Sequence, residues 1–171
     1  GRLNYTLMNR YFLTLSIRRD GYSAFGMENP YATFPSGALA WNLSDESFFN
    51  IKWINNLKVR ASYGINGNRD IGIYDALAKL ETNKYLTGST LISGIYSSSL
   101  ANQYLKWEKT KALNLGLDFS ILNSRLNGSV DYYSMITNDL LLKRSLPTII
   151  GYDNVMSNMG ELQNKGFEMT L

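Results

Sequence analysis

Apolar and polar side chains take turns along most of this chain. From Leu113 to Ser134, Leu113, Leu115, Leu117, Phe119 and Ile121 alternate with Asn114, Gly116, Asp118 and Ser120. A short break follows at "NSR" (123–125). Leu126, Val130 and Tyr132 then continue the apolar face, and Asn127, Ser129 and Asp131 the polar one. Successive side chains of a strand point to opposite faces, so this period of two predicts a hairpin with one greasy and one wet side. The same alternation predicts strands at 2–8, 11–21, 37–43, 57–65 and 166–171, with weaker ones near 85–97 and 104–112. That makes about eight strands, against one short helix over "SDESFFNI" (44–51). There Ser44 is the predicted cap, and Ser47 fills the position where a capping box would want Glu or Gln.

The connections are of two kinds. "NR" (9–10) and "NSR" are tight, whereas 20–37, 66–83 and 145–160 are long and rich in Gly, Asn, Ser and Tyr. Long structureless segments are unusual in a compact soluble domain. Short turns at one end and long loops at the other are the known asymmetry of outer-membrane barrels. Alternating strands also build soluble sandwiches, and three features weigh against one here. The strands with their polar extensions (106–121, 125–142) exceed the usual five or six residues and reach the 9–11 or so that cross a bilayer at a tilt. Tyr11, Phe12, Trp41, Trp107, Tyr132 and Tyr133 lie near predicted strand ends, as an aromatic girdle would. The polar face carries Asn, Ser, Thr, Asp, Arg and Gly rather than the Lys/Glu mixture of a bulk-water surface.

Composition narrows the chemistry. The 171 residues suit one sizeable domain. With Gly1 first and no charged-then-apolar leader, they read as a processed protein or a piece of a longer one. No run approaches the ~18 apolar residues of a membrane helix, which leaves strands as the only membrane-crossing element. A net charge of +3, with scattered Lys and Arg, does not make a nucleic-acid footprint. There is no Cys and no His, hence no thiol chemistry and no imidazole base or metal ligand. Glu108, Asp118, Asp131 and Asp139 could supply a glycosidase carboxylate pair, but an alternating wall places such residues anyway and nothing in the sequence brings two together. Asn68, Asp70 and Asp75 fit no known Ca²⁺ loop. "GINGN" lacks the Lys-Ser/Thr of a phosphate loop. The Asn4, Asn42 and Asn127 sequons fall within strands or at their ends and read as chance. No enzyme, cofactor or metal site is expected.

The residues also resemble a known family throughout. "GRLNYTLMNRYFLTLSIRRDGYSAFG", "FPSGALAW", "LKVRASYGINGNRDIGIY", "LKWEKTKALNLGLDF", "SRLNGSVDYY" and "NMGELQNKGFEMTL" resemble, in order from Gly1 to Leu171, segments of the SusC/RagA TonB-dependent outer-membrane transporters. Tyr22 departs from that pattern, which usually has Ser after the Asp-Gly turn. The resemblance implies an all-β fold, an antiparallel transmembrane β-barrel segment contributing about eight strands to a plugged barrel of about 22. Residues 1–171 would be part of one barrel domain, with plug and TonB box absent and the family's last strands lying beyond Leu171. It further implies TonB-dependent import of a glycan or peptide across the outer membrane of Bacteroidetes. The TonB complex would act through the plug, and a SusD-like surface lipoprotein would form a lid over the loops.

On that reading the substrate-facing lumen candidates are Arg60, Ser62, Asn114, Asp118, Ser129 and Asp131. The extracellular-loop candidates are Tyr22, Phe25, Tyr31, Phe34, Tyr74 and Tyr152. Aromatic faces beside amide and carboxylate groups suit sugars, which present apolar ring faces and many hydroxyls. Two rival readings follow from the residues alone: a soluble β-sandwich carbohydrate-binding module, and a closed eight-stranded outer-membrane anchor. Small barrels fill their interiors with side chains, and Gly64, Gly116, Gly128, Ser62, Ser120 and Ser129 are small for that task.

Overall fold

The computed structural model describes residues 1–25 and 28–171. Its strands are β1 (Arg2–Leu7), β2 (Tyr11–Gly21), β3 (Tyr31–Asn42), β4 (Ile54–Asn68), β5 (Leu80–Thr87) and β6 (Thr90–Ser97), then β7 (Ser99–Leu100), β8 (Glu108–Ile121), β9 (Leu126–Asn138), β10 (Leu141–Ser145), β11 (Asn154–Asn158) and β12 (Glu161–Thr170). Seven of them form one antiparallel sheet in the order β1-β2-β3-β4-β8-β9-β12. The β5–β6 hairpin and a three-stranded sheet, β10-β11-β7, are built from the connections. The main wall therefore has seven strands where about eight are expected from the sequence.

Register turns the alternation into two continuous surfaces. Tyr5, Leu13, Leu39, Ala61, Leu115, Tyr132 and Phe167 are opposite one another across all seven strands. One residue along, the row is Asn4, Thr14, Ala38, Ser62, Asn114, Tyr133 and Gly166. Among the described residues no second layer covers the apolar row: Leu39 is 61% exposed and Phe167 78%. A sandwich would bury those side chains, so the soluble-sandwich reading fails. Strands β1 and β12 end the sheet without pairing to each other, so the closed eight-stranded anchor fails as well.

The tight turns lie at one end of the sheet. At β1–β2, Met8 and Asn9 both have positive φ (52° and 55°), and Arg10 N donates to Leu7 O at 3.0 Å, as in the primed turns that match strand twist. At β8–β9, Leu122, Asn123 and Ser124 are all left-handed. That turn is fixed to the start of β4 by Leu122 N to Trp53 O and Ser124 N to Asn55 Oδ1, both 3.0 Å. The β3–β4 connection shares this end. It contains no α-helix, only a 3₁₀ turn at Leu43–Asp45. Ser44 does not cap it. Asn42 is the capping position, and Glu46 already has extended backbone (ψ 145°), which stops the turn.

The opposite end holds the long connections, more structured than the sequence suggests. Segment 20–37 is strand at both its ends, because β3 starts at Tyr31 and pairs with β2 all the way to Gly21. Segment 66–83 contains the end of β4 and the start of the β5–β6 hairpin, and 145–160 contains the end of β10 and all of β11. Ala32 and Phe34 share a face of β3 with Ala38 and anchor a buried cluster with Phe25, Ala76, Leu105 and Trp107. The loops thus pack over the upper end of the polar face. Trp107, expected in a girdle, is instead 4% exposed inside this cluster. Tyr132 also leaves the girdle, packing against Phe167 (4.9 Å between ring centroids) in the middle of the apolar face.

Unpaired edges recruit other strands, and bare apolar bands drive association. Produced alone in detergent-free water, these 171 residues are expected to scatter light as oligomers or aggregates. A monodisperse monomer by multi-angle light scattering would contradict the single-layer architecture.

Candidate functional site

The polar face is organised around one cation. The Arg60 guanidinium of β4 grips Asp118 of β8 with two bonds (Nε–Oδ2 2.8 Å, Nη2–Oδ1 2.7 Å) and reaches Asp131 of β9 (Nη2–Oδ1 3.0 Å). Two-pronged Arg–carboxylate pairs are stronger and more directional than single contacts. The triad ties three neighbouring strands together on the wet side. Gly116 sits opposite both Arg60 and Asp131. A Cβ there would lie 2.4 Å from Asp131 Oδ1 and 2.8 Å from Arg60 Cζ, so only glycine leaves room for the bridge.

All six lumen candidates therefore lie on one face, though they do different things. Arg60 pairs with both Asp118 and Asp131 and offsets one of their two negative charges. Ser62 and Asn114 are a cross-strand pair. Ser129 stands opposite Asp118. Phe12, Thr14, Arg60, Ser62 and Asn114 surround a shallow hollow of about 220 Å³ floored by Ala38, Ala40 and Gly116. The Lys58 ammonium lies 5.1 Å from the Phe12 ring at its lower side. The sequence shows no reason for two carboxylates to meet, yet Asp118 and Asp131 do, through Arg60. Held by the same guanidinium, they form an ionic cross-link between strands.

The loop aromatics divide. Phe25 (1% exposed) and Phe34 (3%) are buried against Trp107, at 5.3 and 5.6 Å between centroids, and Tyr22 closes the group at 5.3 Å from Phe25. Tyr31 and Phe34 belong to β3 rather than to a loop. The Arg19 guanidinium covers Tyr31 at 5.0 Å, and that of Arg69 covers Tyr22 at 4.5 Å. Tyr74 is exposed and Tyr152 half-buried. Phe25 and Phe34 hold loops together; Tyr31 and Tyr74 keep a free surface.

At the tight-turn end a second polar cluster joins three elements. Glu46 accepts from the Tyr11 hydroxyl (2.6 Å), the Trp41 indole Nε1 (3.0 Å) and Arg10 Nη1 (3.3 Å), while the Tyr11 and Trp41 rings stack at 5.9 Å. These donors, the Tyr11 hydroxyl first, hold the Glu46 carboxyl below the ordinary carboxylate value. Tyr11 and Trp41 sit on the apolar face beside this end, where girdle aromatics belong. The gathering role of Glu46 was invisible in the sequence because two of its three partners lie 35 and 36 residues away.

The comparisons agree with this geometry. The sequence profile of the family "TonB dependent receptor-like, beta-barrel" matches residues 1–171. The chain belongs to the TonB-dependent receptor β-barrel family. TonB-dependent receptor P3 of Formosa agariphila is 44% identical over 172 residues, covering 100% of this chain and 17% of that protein. TonB-dependent receptor SusC of Bacteroides thetaiotaomicron is 39% identical over 178 residues, covering 100% and 18%. Among solved structures, that of the RagAB peptide transporter superposes with a TM-score of 0.86 at 32% identity, covering 98% of this chain and 18% of that one. The chain thus spans less than a fifth of the relatives it matches. Its sheet is a partial barrel, and the family's home is the outer membrane. TonB-dependent receptors are transporters rather than enzymes.

Two outcomes follow for the intact receptor. Arg60→Met leaves two carboxylates side by side and should cost roughly 1–3 kcal/mol, the part-exposed setting keeping it below a fully buried pair. Adding Asp131→Asn should recover part of that loss in urea unfolding, and strict additivity would argue against the triad. For Glu46, the lowered pKa means its contribution is complete above the unfolded-state value and disappears as pH falls through the folded-state one. Trp41 emission should therefore change on acidification only below the ordinary carboxylate range, and not at all in Glu46→Gln. A midpoint at the ordinary value would refute the cluster.

Proposed function

We propose that this chain is wall and outer loops of a TonB-dependent importer that moves a glycan or peptide nutrient across the outer membrane. One observation carries the reading: a single-layer sheet with a continuous bare apolar face backs a polar face cross-linked by ions. Lipid can cover the first and a wet lumen the second. In this reading residues 1–171 are one part of a larger barrel domain, with plug and TonB box elsewhere in the protein. TonB acts through that plug, and a SusD-like lipoprotein closes over the loops. Arg60, Ser62, Asn114, Asp118, Ser129 and Asp131 line the path, with Tyr22, Tyr74 and Tyr152 at its mouth; Tyr31 shares the outer face of β3 with Leu39. Phe25 and Phe34 shape the mouth from beneath.

Support for the direction of the barrel comes from its asymmetry. Tight turns belong to the periplasmic end and elaborated loops to the outside. The likeness to SusC and to the RagAB peptide transporter supports both the drive and the lipoprotein partner.

Deleting the gene should abolish growth on one class of oligomer while leaving growth on its monomer unchanged, and inactivating TonB should do the same. Unchanged growth on every glycan and peptide oligomer would overturn the reading. Within the restored receptor, Leu115→Arg should cost about 2–4 kcal/mol if that side chain faces mid-bilayer, and Asn114→Arg little. Measuring the two refolding free energies in lipid vesicles checks it; equal costs would place both faces in the same medium.

A further inference from the structure

The loop end contains a pocket unlike the shallow hollows of the wall. It lies where the base of the β5–β6 hairpin meets the three-stranded sheet and has a volume of about 200 Å³. Its floor is Ser98 and Ser99, 3% and 7% exposed. Both are tied down: Ser98 Oγ donates to Lys79 O at 3.3 Å, and Ser99 Oγ accepts from Lys79 N at 2.9 Å. Backbone bonds from Ser98 N to Lys79 O (2.8 Å) and from Asp153 N to Ser98 O (3.0 Å) fix the same strands. The site is therefore built before any ligand arrives, which lowers the ordering cost of binding.

Its walls carry unused hydrogen-bonding capacity. Asp75 already holds the Lys79 ammonium and accepts from Gly72 N at 2.7 Å. By contrast, the Lys143 ammonium and the Asn154 side-chain amide have no hydrogen-bonding partner among the described residues. Among the described residues, Glu81 accepts only from the Tyr96 hydroxyl, at 3.3 Å through Oε2, leaving Oε1 for a ligand. Three donors, a donor–acceptor amide and a carboxylate acceptor thus face one small space. Two ammonium groups offset two carboxylates, so no net charge favours an ionic ligand. Met156 is the single apolar side chain in the lining.

We propose that this pocket binds one neutral sugar residue of a glycan. Ring hydroxyls each donate and accept, so a hexose-sized polyol meets ammonium, amide and carboxylate together, as few other small ligands do. The space is below the range of about 300–1,000 Å³ common for drug-sized ligands, and holds roughly six or seven waters. That admits a single ring. A peptide would bring side chains for which the lining offers no apolar recess. The inference rests on the import reading for the source of the glycan, and it selects glycan over peptide.

The test is saturation-transfer NMR on the full-length receptor in detergent, with the methyl glycosides of glucose, galactose, mannose and xylose, and with triglycine as the peptide probe. At least one glycoside should bind and triglycine should not compete. Lys143→Met and Asn154→Leu should each weaken that glycoside about tenfold or more, the loss of a good hydrogen bond, with thermal melting unchanged. Lys58→Met, on the wall, should leave binding intact. Absence of binding by all four glycosides, competition by triglycine, or unaltered affinity in both pocket variants would overturn the proposal. Failure of binding with receptor-dependent uptake preserved would remove the pocket and leave import standing. Binding with uptake unaffected by gene deletion would do the reverse.

Discussion

Inside a bilayer there is no water to pair with an exposed backbone N–H or C=O, so every such group must find its partner within the protein. The seven-stranded sheet meets that demand by long antiparallel ladders, as between β4 and β8, where Ile54 is opposite Ile121 and Asn68 opposite Glu108. Once the backbone is committed to strands, side-chain period does the rest. Each step of one residue moves to the other face of the sheet, so Leu115 and Asn114 are neighbours in sequence on opposite faces. The two outermost strands, β1 and β12, show the same constraint from the other side. Their free ladders are compatible with a membrane only when further strands continue the barrel.

What sits on the polar face follows from that commitment. A sheet one layer thick has no core to clamp its strands, so cross-strand contacts must supply their relative stiffness. Arg60 does this across β4, β8 and β9, and the space it needs explains Gly116. At the turn end, Glu46 gathers Arg10, Tyr11 and Trp41 and so fastens the β3–β4 connection to the first hairpin. At the loop end, burial takes over: Phe25, Phe34, Leu105 and Trp107 make a small hydrophobic core. Ion pairs fasten the polar face of the wall, while at the loop end a hydrophobic core joins the Asp75–Lys79 and Lys106–Asp139 pairs.

Most of the wall was legible in the sequence because the period-2 pattern is local. The register at 113–134 and the position of both tight turns follow directly from it. The pattern misled where the solvent changes. In β3, Ala32 and Phe34 are apolar on the polar face because loops cover them, so the alternation reads as broken and the strand seems to start at Gly37. The 44–51 segment has a helical look, yet Glu46 is drawn into distant partners and its backbone turns extended. Trp107 next to a strand resembles a girdle residue, and only the fold shows Phe25 and Phe34 closing round it. The ion triad was half visible: its three members were expected on one face, but Arg60 lies 58 and 71 residues from the two carboxylates it joins. The loop pocket left no sequence signal, since Lys143 meets Asn154 through the β10–β11 pairing and Ser98 joins them only through the parallel pairing of β7 with β11.

The central claim is that the two faces of β8 meet different media. The chain has no cysteine, so single-cysteine variants at 113–121 in the intact receptor can each carry one spin label without interference from this segment. Power-saturation EPR in lipid vesicles should show high oxygen accessibility at 113, 115, 117, 119 and 121, and high accessibility to a water-soluble nickel chelate at 114, 116, 118 and 120. The opposite phase, or an absence of alternation, would contradict the account.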